Sequence, residues 1–206
     1  MTAHAAAAHV PAPVSSGTAF ADDTPPLPPG LASVADLRGD ISVARVRGRS
    51  EREVVRHLLR HGVDYYFPLQ LVRRWYAGRK REWTTAFIPG HLFVGGGYDG
   101  RAAVAEYGRQ FAGRVFGFIG LADSAGMQRQ LRSELGKIEL LLGNDPTLSA
   151  RAGIARGVAV RVVAGPFAGW DGVVETVGPR CTFWVRLDLL GQSVPVEVPG
   201  EHLERV

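Results

Sequence analysis

Apolar and polar positions alternate in some stretches of the chain and recur every three or four residues in others, which predicts a mixture of strands and helices. Residues 41–46 alternate and predict a strand buried mainly on one side. Ser50-Glu51-Arg52-Glu53 has the form of a capping box, and it predicts a helix that ends at Gly62. Apolar residues over 127–142 predict a long helix, and residues 101–109 predict a shorter one. Further strands are expected over 63–72, in the second half of 84–94 and over 114–121.

The second half of the chain has a different pattern, built around residues 157–177. Valines at every second position on one side of a glycine-rich loop, and a β-branched run on the other, predict two strands. The loop carries two large rings, Phe167 and Trp170, which either close a small core or contact a partner. With three further short strands at 181–190, 194–198 and 203–206, about 50 residues predict a small barrel.

These patterns divide the chain into four parts. Residues 1–36 are rich in Ala and Pro, without sustained periodicity, and predict a disordered extension. Residues 37–142 form the first domain, 143–155 a linker, and 156–206 the barrel. The fold class is therefore α+β.

The excess of positive over negative charge lies in the first half. Residues 41–120 contain 14 Lys and Arg against 6 Asp and Glu, whereas residues 151–206 contain 6 of each. A predicted hairpin, turning at Ala77-Gly78, combines basic residues with the rings of Trp75, Tyr76 and Trp83; the basic residues are Arg73, Arg74, Arg79, Lys80 and Arg81. Such a tip can contact phosphates through charge and bases through stacking, which favours nucleic-acid binding over an ordinary solvated hairpin.

Catalytic chemistry has little support in the sequence, which contains no nucleophile elbow, P-loop or paired carboxylates in apolar surroundings. His57 and His61 share one helix face at i and i+4, but no third ligand is evident near them, so no metal and no cofactor are expected. Gly95 to Gly100 formally matches GxGxxG, with Asp123 at the distance of a ribose carboxylate, which keeps a dinucleotide-binding enzyme as an alternative.

Location is indicated by two features. The single cysteine, Cys181, excludes an internal disulfide, and no apolar run is long enough to cross a membrane. A cytoplasmic protein with no membrane partner is expected.

The order of these parts resembles the NusG family of transcription elongation factors. Residues 157–174 are similar to the family's KOW motif, and residues 189–198 resemble its closing hairpin. In the first half, residues 66–68, 88–94 and 115–120 are similar to the family's NGN domain. The resemblance implies an NGN-type antiparallel sheet with helices, followed by a small SH3-like β-barrel.

The resemblance also implies partners. The first domain would bind RNA polymerase through an apolar patch, matched here by Ile88, His91, Phe93, Phe116 and Phe118, and the basic tip would touch the non-template DNA strand. The barrel would bind a ribosomal protein or a termination factor through Phe167, Trp170 and Leu190. The chain would then be a monomeric, non-enzymatic elongation or antitermination factor. A ribosome-associated RNA-binding protein is the alternative, because KOW barrels also occur in ribosomal proteins.

Two departures from the family pattern bear on polymerase affinity and pH response. Ile41-Ser42 stands where the family usually has an aromatic pair, and His91 stands where it has a tyrosine after Pro-Gly. The long N-terminal tail and the compact first domain resemble a specialised paralogue more than the housekeeping factor.

Overall fold

The computed structural model of the chain describes residues 33–119, 124–152, 157–174 and 180–206. The predicted disordered extension lies almost wholly outside these residues, as does Asp123. The described part of that extension has structure, since Val34–Asp36 form a short 3-10 turn and Val34 is buried.

Among its described residues, the first half contains three α-helices and six strands, and their order confirms an α+β fold. In chain order they are β1 (Ser42–Val46), α1 (Glu51–Arg60), β2 (Tyr65–Tyr66), β3 (Leu69–Tyr76), β4 (Arg79–Ala86), β5 (His91–Val94), α2 (Gly97–Gln110), β6 (Val115–Phe118) and α3 (Ala125–Asn144). Strands β2, β5, β1 and β6 form one antiparallel sheet in that order, while β3 and β4 form a separate two-stranded hairpin.

The four-stranded sheet lies between two helical layers because alternate residues of its strands point to opposite faces. Ala44 and Leu92 are paired neighbours and belong to the apolar core formed with α1 and α2. Val43 and Phe93 are the next pair, and they belong to the second core, which contains the leucines of α3. Both faces of the sheet are thus covered.

The start of α1 differs from the predicted capping box. The Ser50 side chain makes no capping bond, and it accepts a hydrogen bond from Arg114 instead. The Glu53 carboxylate pairs with Arg114 and accepts from the Tyr107 hydroxyl at 3.0 Å. A guanidinium from a distant loop therefore outcompetes the local backbone amides, and it lowers the pKa of Glu53.

The glycine run at 95–100 allows the first turn of α2 to pack closely on the end of β5. The helix predicted from residue 101 begins at Gly97, so the run enters α2 directly after β5. A Cβ on Gly100 would lie 2.0 Å from the carbonyl oxygen of Gly95, which requires glycine there. Within the described ranges, no helix is long and apolar enough to cross a membrane.

The second half forms a six-stranded antiparallel sheet, in the order β12-β8-β9-β10-β11-β7. Its strands are β7 (Arg151–Ala152), β8 (Val158–Val162), β9 (Asp171–Val174), β10 (Arg180–Leu187), β11 (Gln192–Pro199) and β12 (Leu203–Arg205). β7 falls within the stretch predicted as a linker, where its backbone pairs with β11. Gly172 leaves room for the Phe183 ring of the neighbouring strand β10, since a Cβ there would lie 2.5 Å from that ring.

Helix α3 also contacts the barrel. The buried Glu134 of α3 accepts a hydrogen bond from the backbone N–H of Leu189 at 3.0 Å. The Lys137 ammonium lies 5.8 Å from the centre of the Trp170 ring. One side of α3 therefore packs on the sheet of the first half while these two side chains reach the second.

Candidate nucleic-acid interface

The hairpin of β3 and β4 turns at a two-residue loop. Ala77 and Gly78 both have positive φ, at 47° and 74°, which is the conformation of a type I′ turn. The turn sets a continuous register, in which Tyr76 faces Arg79, Arg74 faces Arg81, and Arg73 faces Glu82. This register decides which side chains share a face.

One face, here called the arginine face, collects three of the five basic residues and two rings. Because residues two apart on a strand share a face with their cross-strand partners, it consists of Arg74, Tyr76, Arg79, Arg81 and Trp83. No Asp or Glu occupies a hairpin position on this side. The Arg81 guanidinium lies 5.8 Å from the centre of the Tyr76 ring, a cation–π distance, and Tyr76 is 68% exposed.

The opposite face, here called the Glu82 face, has a net charge of +1, against +3 on the arginine face. It carries Arg73, Trp75, Lys80 and Glu82. Both cations pair with the same carboxylate, Lys80 at 2.8 Å and Arg73 at 2.9 Å, and they lower the pKa of Glu82. These two basic residues are therefore already engaged by an acid.

The structure divides the predicted basic tip into an aromatic face with three arginines and a face whose two cations pair with Glu82. The exposed guanidinium groups of Arg74 and Arg79, beside the exposed rings of Tyr76 and Trp83, are suited to the phosphates and unstacked bases of a single strand. The predicted turn at Ala77-Gly78 places Glu82 opposite Arg73 only when the loop has two residues, because a loop of another length changes the register.

The residues implied as the polymerase patch lie in different environments. Ile88 and Phe93 are 2% and 0% exposed and belong to the core on the α3 side of the sheet. Phe93 is held there because it pairs with Val43, whose side chain also faces α3. Neither offers surface to a partner in this structure, which differs from the apolar patch that the resemblance implies.

The other three residues of the implied patch are at least partly accessible. Phe116, on the edge strand β6, is 66% exposed. Phe118 is half-buried, and it packs against the core of α1 and α2 opposite Ala44. His91 is half-buried beside Arg45, and its Nδ1 lies 2.9 Å from the Pro89 carbonyl oxygen.

The barrel residues implied in partner binding lie beside α3. Phe167 and Leu190 are buried in the same apolar cluster as the leucines of α3, and Trp170 packs against that cluster half-buried. The rings of Phe167 and Trp170 are 5.2 Å apart. The two roles considered for the loop rings are thus divided, because Phe167 is a core residue and Trp170 keeps an accessible side.

Comparison with known proteins gives two relatives that match most of the chain. The transcription termination/antitermination protein NusG of Treponema pallidum is 31% identical over 173 residues, which are 76% of this chain and 92% of that protein. The chain belongs to the NusG family. The protein of the same name from Vibrio vulnificus is 26% identical over 165 residues, covering 77% of this chain and 89% of the relative.

The family assignment rests on these sequence relatives. No family model matches the chain. A solved structure on domain interaction in Thermotoga maritima NusG has 17% identity, covers 81% of this chain and 97% of that one, and superposes with a TM-score of 0.45. The resemblance drawn from the motifs is confirmed, and the family is one of transcription termination and antitermination proteins.

Proposed function

We propose that the chain is a non-enzymatic elongation or antitermination factor that binds RNA polymerase through its first half and increases processivity in the cytoplasm. The arginine face carries the proposal. This chain is a NusG family member, and its β3–β4 hairpin lies outside the four-stranded sheet. The hairpin holds Arg74, Arg79 and Arg81 on one face with Tyr76 and Trp83. That surface fits the non-template DNA strand, which is single-stranded where polymerase has opened the duplex.

The polymerase contact is assigned to the accessible part of the implied patch. Phe116 is a large exposed ring on an edge strand, and His91 lies on the same sheet beside Arg45. Exposed aromatic residues often dominate the binding energy of a protein interface. Ile88 and Phe93 support this surface from the core, so substituting them tests folding before it tests binding.

Phe116→Ser tests this assignment, with Tyr98→Ser as the matched control. Tyr98 is another exposed ring, 84% accessible, at the start of α2. The Phe116 variant is expected to lose co-purification with RNA polymerase from cell extract, while the Tyr98 variant keeps it and both keep the wild-type unfolding midpoint. Full polymerase recovery with folded Phe116→Ser would refute this surface.

The barrel is proposed to recruit a ribosomal protein or a termination factor through the accessible side of Trp170. Support comes from its position on the loop before β9, where Lys137 of α3 lies 5.8 Å from its ring. A partner that covers Trp170 competes with α3, because both use the same ring. Phe167 and Leu190 hold the loop and the strand ends in place from below.

A ribosome-associated RNA-binding protein is the second candidate, since the arginine face suits single-stranded RNA as well as DNA. The two functions differ in their need for polymerase. Steeply salt-dependent binding to naked RNA by the full chain, together with no recovery of polymerase, would favour the ribosomal function.

A further inference from the structure

Helix α2 and the end of α1 bring three potential metal ligands together. His57 lies in the last turn of α1 and His61 directly follows that helix, with their ring centres 4.3 Å apart. Glu106 of α2 faces them across the contact between the two helices. One nitrogen of each ring and a carboxylate oxygen of Glu106 all lie within 4.8 Å of one another.

We propose that His57, His61 and Glu106 form a binding site for a divalent transition metal, with Zn²⁺ as the best-fitting ion. Two imidazole nitrogens and one carboxylate oxygen are ligands that zinc accepts, with water in the fourth position. The proposal is independent of the proposed function, because it concerns the helical layer on the other side of the sheet from α3.

The spacing is close to that of a bound site. Tetrahedral zinc with bonds of about 2.0–2.1 Å holds its ligand atoms roughly 3.3 Å apart, so the cluster must contract by about 1.5 Å at most. His61 is exposed and Glu106 half-buried, so both can rotate toward the ion, while His57 is fixed in the core. The carboxylate of Glu106 has one other partner at hand, the Gln110 amide at 3.1 Å.

A hydrogen bond fixes which nitrogen of His57 can bind an ion. Its Nε2 lies 3.1 Å from the Ala103 carbonyl oxygen, and because a carbonyl only accepts, Nε2 carries the proton. The lone pair of the neutral ring is then on Nδ1. Metal-ligating histidines commonly donate their other N–H to such a carbonyl, which fixes the ring and its tautomer.

The charges around the site limit its affinity. Arg60 directly precedes His61 and opposes a second positive charge nearby, so binding weaker than that of a closed four-ligand site is expected.

An ion at this site joins α1 to α2, and the joined state is more resistant to unfolding. At a zinc concentration about 100 times the dissociation constant, the unfolding midpoint of a chain of this size should rise by roughly 5–10 °C. Chelation should reverse the rise.

The full chain is first treated with EDTA to remove bound metal. It is then titrated with ZnCl₂, and thermal unfolding and calorimetry measure the response. The wild type is expected to show the rise, and His61→Asn and Glu106→Gln to lose most of it together with most of the binding heat. His202→Asn, which changes a half-buried histidine of the barrel, should behave as the wild type. His4 and His9 are unchanged in every variant, so zinc held by them gives the same signal in all.

His61 is exposed, so its replacement is expected to leave the fold intact, which the midpoint in EDTA checks. The proposal is overturned if the wild type shows neither binding heat nor a rise, or if His61→Asn and Glu106→Gln respond to zinc as fully as the wild type does.

Discussion

The two faces of the hairpin should differ in their contribution to nucleic-acid binding, although each basic residue carries the same charge. Arg74→Gln and Arg73→Gln each remove one positive charge from β3 one position apart, Arg74 from the arginine face and Arg73 from the Glu82 face. Arg73 is already held by Glu82 at 2.9 Å and is less available to a phosphate, so removal of Arg73 should change phosphate binding little. Removal of Arg74 should cost one phosphate contact.

The expected size follows from counterion release. Each phosphate contact to a single strand contributes about 0.7 to the slope of log affinity against log salt concentration. Replacing Arg74 and Arg79 together should therefore lower the slope by about 1.4, while the slope for Arg73→Gln stays near the wild-type value. For this double variant, the affinity that the wild type loses between 50 and 200 mM salt should shrink by roughly 7-fold.

Fluorescence anisotropy with a labelled single-stranded oligonucleotide, at several salt concentrations, measures these slopes on the full chain. The comparison separates contact through one face from attraction by net charge, because Arg73→Gln and Arg74→Gln have identical net charge. Equal loss of slope in these two variants would refute the division of the hairpin into two faces.

Two further predictions concern the packing that holds the site. Gly100→Ala should destabilise the protein by about 1–3 kcal/mol in urea unfolding, because the new Cβ meets a backbone oxygen at 2.0 Å. Gly136→Ala is the control: it lies in α3, its Cβ would meet nothing within 4 Å, and it should stabilise the protein by about 0.5–1 kcal/mol. A Gly100→Ala variant as stable as the wild type would contradict the packing. Burial is the main cause that raises the pKa of Glu134 above 4.5, and the hydrogen bonds from the Leu189 N–H and from Gln130 oppose it, so ionisation of this carboxyl weakens the folded state. The stability of the wild type relative to Glu134→Gln should thus increase as the pH falls from above the folded pKa toward 4.5, and a difference independent of pH would be evidence against the buried carboxyl.

The composition of the hairpin could be predicted from the sequence because its turn residues and its basic and aromatic residues are local features. The division of its charges could not, since it depends on register: a shift of one residue would place Glu82 opposite Arg74 and neutralise the other face. The same limit applies to Ile88 and Phe93, which form an apolar run typical of either a core strand or a docking patch. Only the position of α3 over that side of the sheet decides between them.

Local patterns were misleading where a distant residue competed for the same group. Ser50 and Glu53 have the spacing of a capping box, yet both side chains accept hydrogen bonds from Arg114 instead. A charged donor forms stronger hydrogen bonds than a backbone amide, so the tertiary contact prevails over the local one.

The histidine pair at the end of α1 shows how a residue distant in sequence can complete a local ligand pattern. An i and i+4 pair supplies two ligands on one helix face, and by itself it is an ordinary feature of a helix surface. What turns it into a candidate site is Glu106, 45 positions after His61, and the carbonyl of Ala103, which fixes the tautomer of His57. Both come from α2, so the helix contact that buries the apolar faces of α1 and α2 also supplies the third ligand and the orienting acceptor. A pair of ligands on one helix should therefore be judged together with the residues of the helix that packs against it.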